Sequence, residues 1–294
     1  MEFLKSNLPY ILAGVSVGGQ YALIAIGYTM VYGILRLINF AHGDVFMAAG
    51  LILIYSASWL PLYISIPLMI VTTVLIGFLI ERVAYKPLRS APRMSIMISA
   101  IGVSYLIQNF ALYVTGGLAK QYPAIPWISS TVTIAGSATK MVTLITPILT
   151  LVLVVLLVLL IKHTKIGMAM RAVSRDFETS QLMGIKIDRV ISATFIIGTF
   201  LAAIGSLLFF TNYTAVTPSV GAMPGLKAFV AAVFGGIGSI PGAVIGAFII
   251  GICENIIKGL SWTTFSDAFT FALLIAILVI RPSGLFGEKI IDKV

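Results

Sequence analysis

The sequence MVTLITPILTLVLVVLLVLLI, at residues 141–161, indicates the class of fold because it contains no charged side chain. Apart from three threonines and one proline, every residue in it is a methionine or a large aliphatic residue. As an α-helix this stretch is about 32 Å long, which is close to the roughly 30 Å thickness of a bilayer's hydrocarbon core. The stretch therefore predicts a transmembrane helix.

Composition extends this prediction to the whole chain. Of 294 residues, 59% are hydrophobic and 10% are charged, whereas a soluble domain typically carries about 25% charged residues. We therefore expect an all-α, polytopic transmembrane helical bundle, with about eight spans in one transmembrane domain over residues 1–294. The predicted spans lie at about 10–35, 44–58, 65–83, 95–115, 141–161, 190–211, 242–257 and 267–281.

Two glycine-containing segments interrupt the apolar pattern. The pair Gly18-Gly19 lies inside the first predicted span, where it could split the helix into two pieces. Residues 224–234 are apolar but too short to cross a membrane alone, and the sequence GGIGSIPG follows at 235–242. Irregular backbone at membrane depth is tolerated only inside protein or beside a water-filled cavity. The 224–242 segment is therefore either re-entrant, lining a pathway, or a tight turn at the cytoplasmic surface.

Basic residues set the predicted orientation. Fourteen of the 19 lysines and arginines share one side if the spans alternate, and the positive-inside rule assigns that side and the C-terminus to the cytoplasm. The N-terminus lies outside if residues 10–35 form one span. The tryptophans fall on the opposite side, as in an interfacial belt. The basic residues are Arg36, Arg82, Lys86, Arg89, Arg93, Lys162, Lys165, Arg171, Arg175, Lys186, Arg189, Arg281, Lys289 and Lys293, and the tryptophans are Trp59, Trp127 and Trp262.

The predicted cytoplasmic loop at about 162–189 carries charges and apolar side chains together. Ser174 or Asp176 can cap a short helix in it, and Gly184 can end that helix. The apolar anchors among these charges are Phe177, Leu182 and Met183. They suit either a groove on a partner protein or the headgroup region of the membrane, and the sequence leaves both roles open.

Glu254 is the clearest candidate for a transport pathway, because a charge inside an apolar span is costly and usually functional. Asn255 lies beside it in the same predicted span. Lys258 follows four residues after Glu254, so a simple pair on the helix surface is the alternative.

Three further residues are pathway candidates. Gln20 and Tyr21 follow the glycine pair, where they could contact substrate or satisfy a broken helix. Gln108 and Asn109 are adjacent, and their side chains diverge by about 100° on a helix. Only one of the two is therefore expected to face a pathway, and we take Asn109 as the candidate.

A short polar run follows the first predicted span. Asn39, His42 and Asp44 are expected at a cytoplasmic turn, where capping or turn roles are favoured. His42 could titrate near neutral pH. The other histidine, His163, lies in a different loop, so the sequence predicts no metal site.

Six blocks of sequence, spread over nearly the whole chain, carry a family resemblance. They are GGQYAL at 18–23, NFAHGD at 39–44, MRAVS at 170–174, LMGI at 182–185, KAFVAAVFGGIGS at 227–239 and RPSGLFG at 281–287. In this order they resemble branched-chain amino acid ABC-transporter permeases of the first-subunit type. The chain departs from the family pattern at Thr179, Ser180 and Gln181, where small alanines are common, which leaves the identity of the partner ATPase open.

The resemblance implies a permease subunit of an ABC importer for branched-chain or other hydrophobic amino acids in a bacterial inner membrane. Its partners would be a second, homologous permease subunit, two ATP-binding cassette subunits and a periplasmic binding protein. The chain itself would bind no cofactor, no metal and no nucleic acid, and it lacks the G-x-x-x-x-G-K-[ST] phosphate loop. Residues expected at the ATPase contact are Arg171, Asp176, Phe177, Glu178, Leu182 and Gly184.

Two other functions fit parts of the sequence. An ABC permease for urea, short amides or another small solute would share the same architecture. An ATP-independent secondary transporter or channel would account for the apolar spans and for Glu254, but not for the patterned 162–189 loop. A membrane enzyme has little support, because no H-E-x-x-H or paired-carboxylate pattern occurs.

Overall fold

The computed structural model describes residues 2–134, 137–260 and 262–287, and within them it confirms the polytopic helical bundle. The C-terminal Lys289 and Lys293 of the orientation argument lie outside these residues. The helices are α1 Glu2–Leu35, α2 His42–Ala57, α3 Leu62–Ile80, α4 Arg93–Thr115, α5 Met141–His163, α6 Lys165–Arg175, α7 Phe177–Leu182, α8 Ile187–Asn212, α9 Ala222–Gly235, α10 Ile240–Gly259 and α11 Ser266–Ile280.

Short pieces of other structure connect the helices. Glu81–Tyr85 forms a π-helical turn after α3, and Lys86–Leu88 and Thr263–Phe265 form 3₁₀ turns. Strand β1 pairs antiparallel with β4, and β2 pairs antiparallel with β3. The strands are β1 Lys120–Gln121, β2 Thr131–Ile134, β3 Ser137–Lys140 and β4 Ala215–Val216.

Seven of the described helical segments are long and apolar enough to cross a membrane. The remaining predicted span, 44–58, corresponds to α2, which has 16 residues and a length of about 24 Å. Helix α9 has 14 residues. Each of these two helices is shorter than the roughly 30 Å hydrocarbon core. The seven segments are Leu8–Leu35, Leu62–Leu88, Arg93–Thr115, Met141–His163, Ile187–Asn212, Ile240–Gly259 and Thr263–Ile280.

Helix α1 is continuous through the glycine pair, so the break considered from the sequence does not occur. The glycines serve close packing instead. A Cβ atom added at Gly251 of α10 would collide with the backbone of Gly18, and one added at Gly14 would collide with the α10 backbone. Where lipid replaces water, helices associate through such close backbone contacts rather than through hydrophobic burial.

Helix α2 begins inside the bundle rather than at a surface turn, which corrects the placement of the polar run after α1. Arg36 has a φ of 55° and turns the chain. The ring of His42 then lies against Gly27 of α1, eight residues and about 12 Å before the end of that helix. Asn39 and Asp44 are 2% exposed, so neither is a surface cap.

Helices α9 and α10 form a hairpin around the 235–242 sequence. The backbones of Gly235 and Gly242 touch, and the chain after α11 covers the turn. There the amide nitrogens of Leu285 and Phe286 donate to the carbonyl oxygens of Phe234 and Gly235, each at 3.0 Å. The chain at 235–242 therefore reverses direction in a tight turn between α9 and α10.

The turn lies at the end of the bundle that also carries α6 and α7, which we call the α6–α7 end. Gly238 lies near Gly33 of α1, and Arg36 donates to the Ser174 carbonyl oxygen of α6 at 3.5 Å. At the same end Arg89 pairs with both Glu81 and Asp188.

The opposite end carries the tryptophans, and we call it the tryptophan end. Trp59, Trp127 and Trp262 are 88%, 76% and 67% exposed. At this end Tyr10 of α1 lies against Gly259 of α10. Helices α1, α8 and α10 form the interior, whereas α3, α4, α5 and α11 present large apolar side chains outward. Outward-facing apolar side chains of this kind suit contact with lipid.

We predict that Gly251→Ala destabilises the protein by about 1–3 kcal/mol, because the new methyl group forces α10 away from α1. The matched control is Gly102→Ala on the outer face of α4, where an added Cβ meets no atom within 4 Å. That control should leave stability unchanged or raise it by up to about 1 kcal/mol through helix propensity. Thermal unfolding of the detergent-purified protein measures both, and an unchanged midpoint for Gly251→Ala would contradict the packing argument.

Candidate functional site

A cavity of about 290 Å³ lies at the tryptophan end of the bundle. It is an open pocket bordered by α1, α8, α9, α10 and the segment 213–221, which contains β4 and leads into α9. Its polar lining includes Tyr21, Lys227, Glu254 and Lys258. Two of these residues, Tyr21 and Glu254, are pathway candidates from the sequence.

Glu254 is the centre of a hydrogen-bonded ion network. Its Oε1 accepts from the Nζ of Lys227 at 2.8 Å and from the Nζ of Lys258 at 2.6 Å. Its Oε2 accepts from the hydroxyl of Tyr21 at 3.1 Å. The pairing with Lys258, four residues on, occurs as anticipated from the sequence. Glu254 is only 1% exposed, however, so the pair is not a simple surface contact.

Lys227 links this network to α11. Its Nζ lies 2.6 Å from Oδ1 of Asp267 as well as 2.8 Å from Glu254. Lys227 and Glu254 are only 8% and 1% exposed in their side chains. Burying these two ions costs several kcal/mol each in lost hydration, which close pairing offsets. With two carboxylates and two ammonium groups the network has no net charge, and this neutrality permits it to lie inside an apolar bundle.

The rest of the cavity wall is mainly apolar and aromatic. Phe209, Val220, Met223 and Pro224 contribute apolar surface. The ring of Tyr213 packs on that of Phe209 with centroids 4.7 Å apart. Burial raises the pKa of Tyr213, and the Glu254 carboxylate raises it further, so its phenol stays neutral at physiological pH. A small group of charges thus faces a wall suited to an apolar side chain.

Gln20 and Asn255 are buried but do not line the cavity. Gln20 donates to the Leu208 carbonyl oxygen of α8 at 3.4 Å. Asn255 donates to the Gly251 carbonyl oxygen of its own helix at 2.9 Å and packs beside Gly14. Both side chains face neighbouring helices in this structure.

The adjacent polar pair on α4 divides as helical geometry requires. Asn109 is exposed and donates to the Tyr105 carbonyl oxygen of its own helix at 2.8 Å. Gln108 faces inward and donates to Oδ1 of the buried Asp44 at 3.0 Å. Asp44 also accepts from the Ser104 hydroxyl, so this carboxylate joins α2 to α4.

The 162–189 loop folds into two short helices rather than one. Asp176 caps α7, accepting from the Thr179 amide at 2.9 Å and its hydroxyl at 2.7 Å. Gly184 follows α7 with a φ of 82°, a left-handed conformation that favours glycine. Phe177 and Leu182 are 40% and 87% exposed. Capping and termination therefore occur at the residues anticipated, and the apolar anchors lie on the surface.

Arg171 and Glu178 also lie on the surface of this region. Arg171 donates to the Lys162 carbonyl oxygen at 3.3 Å, which ties α6 to the end of α5. The six predicted contact residues therefore lie on one continuous segment at the α6–α7 end.

Sequence reasoning did not select Lys227 or Tyr213. A signal for Lys227 was present, since it is a charged residue within an otherwise apolar helical segment, which is the pattern that selected Glu254. Tyr213 had no comparable signal. Among the described residues no group of three or more histidine, cysteine, aspartate or glutamate side chains could hold a metal ion.

Known proteins resemble this chain over nearly its full length. Residues 10–278 match the family model described as branched-chain amino acid transport system, permease component. The high-affinity branched-chain amino acid transport system permease protein LivH of Salmonella typhimurium is 40% identical, over 96% of each chain. The corresponding permease protein BraD of Pseudomonas aeruginosa is 37% identical over 100% of each chain.

A solved structure shows similarity in fold. It is an inward-facing conformation of an ABC transporter of the metal-chelate type, and it aligns with a TM-score of 0.53 at 15% identity. The alignment covers 95% of this chain and 88% of the other. At this identity the likeness concerns the fold alone.

We predict that Gln108→Ala lowers the free energy of unfolding by about 1–3 kcal/mol, because a buried carboxylate loses one of its donors. Asn109→Ala, one position along, should change it by less than about 0.5 kcal/mol, because the side chain is exposed and bonds its own helix. Thermal unfolding of the two detergent-purified variants makes the comparison. Equal losses would show that α4 does not face α2 as described.

Proposed function

This chain belongs to the family of branched-chain amino acid transport system permease components, and from that membership we infer that it is a membrane subunit of an ABC importer for branched-chain amino acids. The observation that carries this conclusion is the identity of 37–40% with such permeases over nearly the full length of the chain. The chain is a multi-pass membrane protein and a transport subunit rather than an enzyme, because ATP hydrolysis belongs to partner subunits.

The cavity at the tryptophan end is our candidate for the outer part of the substrate pathway. Tyr21 and Glu254 line it directly. Gln20 and Asn255 hold α1 against its neighbours, so we assign them a supporting role in the pathway. Asn109 faces outward from α4, and a pathway role for it requires that a second subunit cover that helix.

The segment α6–α7 is our candidate for the ATPase contact. It lies at the end of the bundle opposite the cavity and presents the apolar side chains of Phe177 and Leu182 beside charged groups. A short helix with exposed apolar anchors suits a groove on a partner protein. Those anchors would be oriented by Arg171 and Glu178, by the Asp176 cap at the start of α7 and by the turn at Gly184 after it.

The complete importer would contain further subunits. We propose a second, homologous permease, two ATP-binding cassette subunits on the α6–α7 side and a periplasmic binding protein at the tryptophan end. That arrangement places the C-terminus in the cytoplasm and the chain in a bacterial inner membrane. ATP would be bound by the partner subunits, and this chain would bind no cofactor.

Uptake of radiolabelled leucine into proteoliposomes tests the function. The vesicles would hold this chain, its partner permease and the two ATPases, with binding protein outside and ATP inside. We expect uptake that requires both ATP and binding protein and that unlabelled isoleucine or valine inhibits. Uptake without ATP would indicate a secondary transporter. ATP-dependent transport of another solute but not of leucine would support an ABC permease and show that the proposed substrate is wrong.

We predict that Leu182→Ala weakens assembly with the ATPases by about thirtyfold, as expected for an apolar hot spot worth ~2 kcal/mol. Its side chain is 87% exposed, so the thermal unfolding midpoint of the isolated permease should not change. The matched control is Leu118→Ala, an exposed leucine near the tryptophan end (67%). Titration of purified ATPases onto the reconstituted permease distinguishes them, and unchanged binding by Leu182→Ala would place α7 away from the contact.

A further inference from the structure

We propose that the cavity at the tryptophan end binds the charged head of the transported amino acid by exchange with the Lys227–Glu254 ion pair. The substrate ammonium donates hydrogen bonds to the Glu254 carboxylate. The substrate carboxylate accepts hydrogen bonds from Lys227 and Lys258. This inference rests on the function proposed above and adds to it a binding site for the zwitterion.

The ion network keeps Lys227 and Glu254 bonded during the exchange. Glu254 Oε1 accepts from both lysines, at 2.8 Å and 2.6 Å, so displacing one ammonium leaves that oxygen still bonded. Lys227 retains its second partner, Asp267, at 2.6 Å. A lysine ammonium has three donors, which allows it to hold Asp267 and a substrate carboxylate together. Neither Lys227 nor Glu254 is left without a bonding partner in a buried site.

Charge balance selects a zwitterion. The four ionic groups of the network sum to zero, two positive and two negative. A zwitterionic ligand preserves that sum, whereas a cation or an anion alone would leave an uncompensated charge in a buried site, at a cost of several kcal/mol. An uncharged solute would leave the ion pair closed and gain little from the polar groups.

The remaining wall selects the apolar part of the ligand. Phe209, Val220 and Met223 face the same cavity as the ions. Its volume of about 290 Å³ is just below the roughly 300–1,000 Å³ found for sites of drug-sized ligands, as expected for one amino acid. Met223 and Pro224 also belong to the first turn of α9, where the positive end of the helix dipole favours a carboxylate.

Equilibrium binding of radiolabelled leucine to the detergent-purified transporter complex, without binding protein or ATP, tests this site. Competition uses isoleucine, 3-methylbutylamine, which lacks the carboxylate, and 4-methylpentanoate, which lacks the ammonium. We expect isoleucine to displace leucine and neither half-analogue to do so. Glu254→Gln and Lys227→Gln should each weaken binding about tenfold or more. The matched control, Glu81→Gln, removes a buried, paired carboxylate at the α6–α7 end and should leave affinity unchanged.

The competition series on the unaltered complex keeps the test decisive if either variant fails to fold. Displacement by a half-analogue as effective as that by isoleucine would overturn the proposed site. Equal affinity in the wild type and both variants would also overturn it. If saturable binding is absent while the same complex, reconstituted into proteoliposomes, imports leucine with ATP and binding protein, the site is wrong and the importer function stands. If that import is absent as well, both proposals fail.

Discussion

The close approach of α10 to α1 is the contact on which the rest of the structure depends. Hydrophobic burial cannot hold helices together where the solvent is lipid, so contact of backbone with backbone must do so. Gly14, Gly18 and Gly251 make this contact possible. Once the two helices touch, Tyr21 comes within hydrogen-bonding distance of Glu254, and the cavity forms beside them. Packing of small residues therefore places the polar network.

Much of the fold follows from composition and apolar run length, because each full span must satisfy its own backbone hydrogen bonds within the bilayer. That rule does not limit helices buried inside the bundle. Helix α2 begins beside Gly27, and the backbones of Gly43 and Gly221 meet where α9 begins. The predicted run at residues 44–58 has 15 residues, as does the run at 267–281, which belongs to a segment long enough to cross a membrane. Run length in the sequence therefore does not separate the partial span from the complete one.

The candidate site was predictable where one residue carried the signal alone. Glu254 stood out as a charge in an apolar span, and Asp176 as a cap, and the structure places them in a network and a cap. The choice between Gln108 and Asn109 required knowing which face of α4 meets Asp44. Lys227 carries the same signal as Glu254, a charge within an apolar segment. The pairing of the two residues depends on the α9–α10 hairpin, and glycine contacts set the geometry of that hairpin.

The attachment of α11 makes the protein unequally sensitive to ionic strength. Near its start, Asp267 bonds to Lys227 and is 46% exposed in its side chain, so dissolved ions screen that contact. Beyond its other end, the chain is held by two backbone hydrogen bonds to residues 234 and 235, on which salt has little effect. Concentrated salt therefore weakens the attachment of α11 near its start and leaves the backbone attachment beyond its other end unchanged.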